Sequence, residues 1–370
     1  MSVTSRREFV QDNHYLPISY LRSWTDDTGR VWVYRTLVSR ESVEEWRARS
    51  VRGVAYHQHL YTSAVSGPES DAVERWLAEH VDGPSRAVLS KIAAESALTS
   101  ADWQVLLRFF AASQVRTPAF YLRRRAAWER ELPALMTQAL NRVKERLKRR
   151  AGAPKFPKNL FVGNVGLPFR ARTRKLEDGQ GGVIEAEVLA GRGLWLLEIE
   201  HGVAHTSEHL HRLHWTILRP PAGWSWLASD DPAVVARVSP DGQVTFNGGW
   251  GVRGSVLFLP LDPSHLLYAR VGARPPLKYS CLAASEARFV QECTVHHAHR
   301  MVFSVSRDDW VAERRPRRVD PVAIDHEKRE WARWRETQAA AERELEDDST
   351  WPSPPPPAPG QLSTTSGDSP

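Results

Sequence analysis

The chain has 370 residues, of which 41% are hydrophobic and 25% are charged, and its formal net charge is +6. These values are typical of a soluble globular protein with one large domain or two ordinary ones. An anionic partner is compatible with this charge but not required by it. No apolar run is long enough to span a bilayer, so neither a transmembrane helix nor a membrane partner is predicted.

The cysteines and the N-terminus both favour a reducing compartment. Cys281 and Cys293 are too few for a disulfide framework or a zinc ribbon. The segment from Met1 to Asp12 is polar and lacks the apolar core of a signal peptide. We therefore expect a cytoplasmic protein, and the sequence leaves its oligomeric state open.

The most distinctive stretch near the N-terminus is His14-x-x-Pro17-x-x-Tyr20-Leu21-x-x-Trp24. Pro17 suits the first turn of a helix, because its missing N–H costs no hydrogen bond there. Tyr20, Leu21 and Trp24 would then share one apolar face. His14 precedes the positive end of this helix, which predicts a neutral imidazole able to act as a base or a metal ligand. Capping the helix or packing against Trp24 is the alternative role of His14.

A strand and a helical region follow this stretch. Residues Arg30 to Arg35 are rich in β-branched and aromatic side chains and predict a strand. Residues Asp71 to Ser96 have apolar side chains at helical spacing, with a break predicted at Gly83-Pro84. Glu74 and Asp82 lie about two turns apart and share a face if the helix continues. They are either solvated acids or a pair of metal-binding carboxylates.

Two further helices are predicted in the middle of the chain. Thr99-x-x-Asp102 is typical of a capping box and opens a helix that ends at Arg116-Thr117-Pro118. Arg116 can complement the helix dipole there, or hold a carboxylate or phosphate in bidentate fashion. Residues Phe120 to Arg150 continue as an amphipathic helix, with Pro133 expected in a first turn.

The stretch from Arg142 to Lys175 contains 12 Lys or Arg residues and a single acid, Glu145. Basic residues interleaved with phenylalanines are what a nucleic-acid groove requires, because the charges bind phosphates and the rings stack on bases. The residues predicted to bind nucleic acid are Lys148, Arg149, Arg150, Arg172 and Arg174. A solvated helix end followed by a loop rich in Pro and Gly is the alternative.

Histidines are concentrated further along the chain. His201, His205 and His209 would stack on one helical face at the spacing of zinc-binding histidine pairs. No HExxH motif is present, so a polar helix face is the alternative interpretation.

The segment from Trp224 to Ala228 predicts a strand that runs into Ser229-Asp230-Asp231-Pro232. A carboxylate such as Asp230 at a strand end is a common setting for metal or general-base chemistry. Asp231 can equally belong to a turn, because it precedes a proline.

The C-terminal third is predicted to contain a hairpin, further strands and two helices. One helix is expected from Glu286 to Arg300, and a charge-dense helix from Val319 to Asp347. Residues Trp351 to Pro370 are rich in Pro, Ser and Gly and are predicted to be disordered.

The order and spacing of several of these residues resemble DUF4238, a widespread, largely bacterial family of unknown function. The resemblance spans Asn13 to Ser306 and is carried by His14-x-x-Pro17-x-x-Tyr20-Leu21-x-x-Trp24, Val31-Trp32-Val33-Tyr34, Glu74, Val81-Asp82, Arg116-Thr117-Pro118, Ser229-Asp230-x-Pro232 and Ala298-x-Arg300 before Phe303-Ser304. The chain departs from the family's usual residues at Asn13 (His or Lys), Trp24 (Phe), Asp82 (Glu) and Asp231 (Asn). Asp82 keeps a carboxylate and stays compatible with metal binding, and the resemblance implies no activity.

Three kinds of function fit these residues. The first is a metal-dependent hydrolase, a nuclease or phosphodiesterase acting on nucleic acid with Mg²⁺ or Mn²⁺, because hard cations prefer carboxylates and arginine suits phosphate. Its predicted catalytic residues are His14, Arg116 and Asp230. Its predicted metal ligands are Glu74, Asp82 and Asp230. This function requires all five side chains to converge in one pocket.

The second function is a binding module for nucleic acid or a protein, which needs the basic stretch but no chemistry. The third is a purely structural role for the motif residues. In that case His14 and Asp230 bind buried backbone groups, and Arg116 pairs with Glu74 in the core.

The predicted fold class is α+β: an N-terminal β-element, a helical middle over 71–150, and a mostly antiparallel β-region over 182–306. These parts form one DUF4238-like domain at 10–310, followed by a charged helix at 319–348 and a disordered tail at 351–370. A parallel Rossmann-type sheet is not expected, because no Gly-rich phosphate loop follows a strand.

Overall fold

The structure is a computed structural model that describes residues 12–65, 69–149, 161–162, 165–166, 168–175, 182–239, 243–246 and 248–347. These residues have the predicted α+β order, with N-terminal strands, a helical middle and mainly antiparallel sheets towards the C-terminus. The predicted disordered tail at 351–370 lies outside them. Within the described part of the chain, no helix is long and apolar enough to cross a membrane.

The N-terminal part contains β1 (Asp12–His14), α1 (Ile18–Leu21), β2 (Arg30–Arg35), β3 (Leu37–Val38), β4 (Trp46–Ser50) and β5 (Tyr56–Gln58). The helix predicted after Pro17 is present, but it has only 4 residues before a 3₁₀ turn continues it. Its apolar face is buried as predicted. The Tyr20 hydroxyl donates to the Pro260 carbonyl at 2.7 Å, and the Trp24 indole donates to the Trp226 carbonyl at 3.0 Å. These bonds attach the opening stretch to the C-terminal half.

The helical middle contains α2 (Ala72–Leu77), a π-helical turn (Ala78–Asp82), α3 (Gly83–Ala93), α4 (Ser100–Val115) and α5 (Pro118–Arg149). At the break predicted at Gly83-Pro84 the π-helical turn ends and α3 begins, and the proline lies in the first turn of α3, where no N–H is required. The capping box of Thr99 and Asp102 is confirmed. Pro133 lies inside α5 and not in a first turn, because that helix already begins at Pro118.

The later strands are β6 (Phe161–Val162), β7 (Val165–Gly166), β8 (Phe169–Lys175), β9 (Gly182–Val188), β10 (Trp215–Leu218), β11 (Ala228–Ser229), β12 (Val234–Val238), β13 (Val244–Thr245), β14 (Val256–Asp262), β15 (His265–Arg270), β16 (Met301–Ser304) and β17 (Arg318–Val319). One sheet has the strand order β10-β15-β14-β12-β13, and its pairs are all antiparallel. The strand predicted at Trp224 to Ala228 is reduced to the two residues of β11.

A second sheet, with the order β11-β16-β2-β4, joins the two ends of the domain. Its strands pair antiparallel, with Ser229 opposite Val302 and Met301 opposite Arg35. This register places the end of β11, the start of β16 and the end of β2 side by side. The residues at that corner of the sheet form the site described below.

The later helices are α6 (Arg192–Leu210), α7 (Ala284–His297), α8 (Asp309–Arg314), α9 (Pro321–Ala332) and α10 (Trp334–Glu346). The predicted helix to Arg300 ends earlier, at His297, because Asp230 binds the backbone that follows. The single helix predicted over Val319 to Asp347 is instead two helices separated at Arg333. Both pack on the domain, and Trp334 is 6% exposed.

His265, at the start of β15, connects the antiparallel sheet to the helical middle. Its Nδ1 lies 2.8 Å from Asp262 Oδ2, and its Nε2 lies 3.4 Å from Glu95 Oε1. Burial opposes protonation of this imidazole, but the two carboxylates outweigh burial and raise the pKa of His265 above its usual value. The folded protein therefore favours the imidazolium form.

Replacing His265 with Gln should lower the free energy of unfolding by about 1 kcal/mol near pH 6 and by less near pH 9. Because the folded-state pKa is raised, the stabilisation is complete below the unfolded pKa of about 6.5 and is lost as pH rises through the folded value. Urea unfolding of both proteins at several pH values measures this difference. A difference that does not change with pH contradicts the role of the imidazolium.

Candidate functional site

Asp230 directly follows β11 and is 3% exposed. Its Oδ1 accepts the backbone N–H of His299 at 2.7 Å, and its Oδ2 accepts those of Arg300 at 2.7 Å and Met301 at 3.1 Å. Burial raises the pKa of Asp230 to about 7, and the amide donors oppose that shift. The carboxyl group thereby fixes the backbone between α7 and β16.

A cavity of about 350 Å³ lies against this backbone, and we call it the Asp230 cavity. Its walls come from the residue after β1, the ends of β2 and β11, the starts of β3, α5 and β16, and residues of β5 and α9. The lining side chains with polar groups are Tyr15, Arg35, Tyr56, His57, Asp230, His299, Arg300, Glu327, Lys328 and Trp331. Its volume is that of a site for a small organic molecule.

Two imidazoles in this lining are held in their neutral form. Burial lowers the pKa of both His57 and His299 to about 4. The His57 ring lies 4.1 Å from the Trp331 ring at an interplanar angle of 15°, so it is part of an aromatic stack. The His299 ring has no hydrogen-bond partner among the described residues. The ring nitrogens of His299 are therefore available to a ligand.

The cationic side chains of the cavity are not fully neutralised. Arg300 Nε donates to Glu327 Oε2 at 2.9 Å, which pairs one guanidinium. The Arg35 guanidinium has neither a hydrogen bond nor an ion pair within the described residues. Burial and the nearby guanidinium groups of Arg49 and Arg47 lower the pKa of Arg35. An anionic ligand would relieve this uncompensated positive charge.

Tyr15 contributes a phenol to the same cavity. Burial, followed by the charges of Asp230 and other neighbours, raises the pKa of Tyr15 well above its usual value. The phenol therefore keeps its proton and is a hydrogen-bond donor. Tyr15 also faces the helical middle, because its carbonyl accepts Arg116 Nε–H at 2.6 Å.

A second cluster of predicted residues lies on that other side of Tyr15. Arg116 is 1% exposed and donates from Nη1 to Asp82 Oδ1 at 2.7 Å. Burial raises the pKa of Glu74 to about 7, against the opposing charge of Arg116. The structural hypothesis paired Arg116 with Glu74, whereas the carboxylate that it bonds is Asp82.

His14 occupies a third location. It belongs to β1 and precedes α1 by four residues, and it does not cap that helix, whose N-cap residue is Pro17. Its Nε2 lies 3.3 Å from the Arg52 carbonyl, and its ring lies 5.5 Å from the Tyr56 ring. Burial lowers the pKa of His14, which agrees with the predicted neutral imidazole. Its contacts are those of a residue that binds backbone.

The five residues predicted to share one pocket are thus divided among these three places. Both Asp230 oxygens accept backbone amides, whereas Glu74 and Asp82 lie together beside Arg116. Within the described ranges, no group of three or more His, Cys, Asp or Glu side chains is arranged to hold one metal ion. The three predicted carboxylate ligands therefore do not fit a single cation.

The family model of a protein of unknown function, DUF4238, matches residues 12–314 of the chain. The chain belongs to this family. No curated protein matches the chain, and neither does any solved structure.

The DUF4238 match ends before α9 and α10, yet α9 supplies one wall of the Asp230 cavity. Ile324, Glu327, Lys328 and Trp331 all come from this helix. The cavity of this chain therefore combines residues of the family domain with residues that follow it.

One departure from the usual DUF4238 residues is Asp231, which is 0% exposed. Its Oδ1 accepts the Thr117 hydroxyl at 3.0 Å, and its Oδ2 accepts Arg123 Nη1. The His297 Nδ1 lies 2.9 Å from its backbone carbonyl. Asp231 therefore connects the end of β11 to the start of α5, and it has more contacts than a simple turn residue.

The DUF4238 motifs did not identify His299 and Arg35, two lining residues whose side chains have no hydrogen-bond partner in the described structure. A signal for His299 was present, since it is the middle residue of Ala298-x-Arg300. Arg35 belongs to a predicted strand, and nothing in its local sequence separates it from other exposed strand residues. Its position depends on the pairing of β2 with β16.

The predicted row of histidines lies on α6, as expected. The rings of His201 and His205 are 4.1 Å apart and nearly perpendicular. His201, His205 and His209 are exposed. They are not part of a three-ligand metal group in the described structure.

The basic stretch is described only in part. Lys148 and Arg149 belong to α5, whereas Arg150 lies outside the described residues. Arg172 forms an ion pair with Glu185, its direct partner across the β8–β9 pair, and Arg174 stands opposite Val183. Part of the charge is therefore neutralised, and nucleic-acid binding by this stretch stays a prediction.

Proposed function

We propose that this chain is a hydrolase of phosphodiesters, in nucleic acid or in smaller nucleotides, and that the Asp230 cavity is its active site. The observation that carries the proposal is that a neutral imidazole and an unpaired guanidinium line one cavity. A base and a phosphate-binding cation are the minimum that metal-independent phosphoryl transfer to water requires. The net charge of +6 favours the approach of an anionic substrate.

In this reaction a water oxygen attacks phosphorus, and the bond from phosphorus to the leaving oxygen breaks. His299 accepts the proton of the attacking water, and the Tyr15 phenol supplies a proton to the leaving oxygen. Arg35 binds the phosphate oxygens in the substrate and in the transition state alike. Asp230 is a positioning residue, because its contacts hold the backbone that carries His299.

The proposed steps require neither Mg²⁺ nor Mn²⁺, the cofactors predicted from the sequence, so dependence of the reaction on these ions is tested directly below. A cytoplasmic location is part of the proposal, and the free thiols of Cys281 and Cys293 support it.

Replacing His299 with Gln should lower kcat for bis(p-nitrophenyl) phosphate and for a short single-stranded oligonucleotide by about 100-fold or more. Replacing Arg35 with Gln should mainly raise KM. The steady-state assay is run with EDTA, Mg²⁺ or Mn²⁺ in parallel. The control is His201→Gln, which removes an exposed imidazole on α6 and should leave kcat unchanged.

The pH profile gives an independent readout of the base. Because the pKa of His299 is about 4, kcat/KM should fall only as pH approaches that value. An acid limb near the ordinary histidine value of about 6.5 contradicts the assignment. If the wild-type protein hydrolyses neither substrate with any cation, the proposed function is rejected.

A further inference from the structure

A second cavity, of about 390 Å³, lies at the opposite end of the β11–β16 pair. Leu227 precedes β11, Ser304 ends β16, and both line this cavity. Asp230 and Met301, at the other end of the same strands, line the Asp230 cavity. The two cavities are therefore separate, and the proposed hydrolysis does not use the second one.

Two guanidinium groups in this second cavity are held against indole rings. The Arg288 guanidinium lies 5.1 Å from the centre of the Trp224 ring and 5.5 Å from that of Trp310. Arg307 lies 4.7 Å from the Trp32 ring centre. Such cation–π contacts restrain a guanidinium without occupying the N–H groups at its edge. The cations are thus positioned while their hydrogen-bonding capacity remains available.

Neither cation forms an ion pair within the described residues, although the charge of Asp308 acts on Arg288 through space. Neither Arg288 nor Arg307 has a carboxylate partner or a hydrogen-bonded acceptor there. Asp308, the acid in the lining, accepts the backbone N–H of Trp310 at 3.1 Å. By contrast, Arg314 also lies over Trp310 but forms an ion pair with Glu292 at 3.6 Å.

The Trp310 indole adds another polar group without a partner. Its Nε1 is buried, and no hydrogen-bond acceptor contacts it in the described structure. A buried N–H without an acceptor is costly. Because this atom is inaccessible to solvent, the N–H donors that the cavity presents to a ligand are those of the two guanidinium groups.

We propose that this second cavity binds a phosphate dianion carried by a small molecule. Two guanidinium charges match the two charges of a phosphate monoester, and their planar edges suit its oxygens. The volume of about 390 Å³ leaves room for a small organic group attached to the phosphate. The proposal is independent of the reaction assigned to the Asp230 cavity.

Isothermal titration calorimetry with inorganic phosphate and with phenyl phosphate tests this site. The parent protein carries Arg35→Gln, which weakens phosphate binding in the Asp230 cavity. Adding Arg288→Gln or Arg307→Gln should weaken binding about tenfold or more. Arg314→Gln is the matched control, because it removes a nearby charge that is already paired. Tighter binding of phenyl phosphate than of phosphate supports a ligand in which an organic group carries the phosphate. Equal binding of the two contradicts the organic group and leaves free phosphate as the ligand.

Absence of phosphate binding by the parent protein overturns the proposal. An equal loss in Arg314→Gln also overturns it, because general surface charge would then explain the binding. Arg307 is exposed, so its variant should fold even if Arg288→Gln does not. Unchanged binding in a folded Arg307→Gln protein removes this residue from the site and contradicts the proposed pair of cations.

Discussion

Replacing Glu342 with Ala should lower the free energy of unfolding by about 3–5 kcal/mol, because it leaves a buried arginine without its counter-charge. The side chains of Glu342 and Arg192 are both 0% exposed. Arg192 Nε donates to Glu342 Oε1 at 2.9 Å, and Nη2 donates to Oε2 at 2.6 Å. The same Oε2 accepts the Ala64 N–H at 2.7 Å, so a backbone group also loses its partner.

Chemical unfolding with urea measures this effect, and Glu336→Ala is the control because Glu336 is an exposed acid on the same helix. A double variant, Arg192→Met with Glu342→Leu, should regain much of the lost stability, since apolar residues can replace a buried ion pair. The Ala64 N–H would still lack an acceptor, so recovery should be incomplete. A loss below about 1 kcal/mol in Glu342→Ala contradicts the buried pair.

The same substitution should loosen the wall of the Asp230 cavity. Four residues of α10 are buried, whereas α9 has no buried residue of its own. Docking of α9 therefore depends on α10 and on the contacts of Glu327 and Trp331. Hydrogen exchange in Glu342→Ala should be faster in both helices than in β14 and β15.

Replacing Asp230 with Asn should cost about 2–4 kcal/mol of stability, because one carboxylate oxygen becomes an amide that cannot accept a hydrogen bond. Each of the two oxygens now accepts at least one backbone N–H. In the variant, the NH₂ group would face either His299 N–H or the amides of Arg300 and Met301. Part of the backbone from His299 to Met301 must therefore move away from the new side-chain amide.

Thermal and urea unfolding test the Asp230 prediction, with Asp27→Asn as a control for loss of an exposed carboxylate. Because Asp230 positions His299, the variant should also lose hydrolytic activity at temperatures where it remains folded. Wild-type stability in Asp230→Asn would show that the three amide contacts contribute little. It would then favour a direct chemical role for the carboxyl group.

Local patterns in the sequence were sufficient for the family, the α+β class and several details. The capping box at Thr99 and Asp102 and the buried face of Tyr20 and Trp24 depend on residues three or four positions apart. Such patterns act within one turn of helix, so they can be read without knowing the fold. The motif around Asp230 was also identified, and binding of buried backbone groups by this residue was one of the alternatives that the sequence left open.

Only the tertiary structure showed which of the predicted residues lie in the Asp230 cavity. His14, Arg116 and Asp230 were expected in one pocket, but Tyr15 separates the cavity from the cluster around Arg116, and His14 contacts the Arg52 carbonyl. Residues that belong to the same family motifs need not be close in space. Their neighbours depend on strand pairing between distant segments, which a single sequence does not specify.

The charged C-terminal segment shows the same division. Its composition predicted one charge-dense helix, and two helices are present. Only the packed structure reveals that Glu342 is completely buried opposite Arg192, 150 residues away, and that Glu327 faces the Asp230 cavity. Helix formation depends on nearby residues, whereas burial of a charge depends on a partner brought close by the whole fold. The sequence therefore determined the elements of this protein, and tertiary contacts determined which of their polar residues meet.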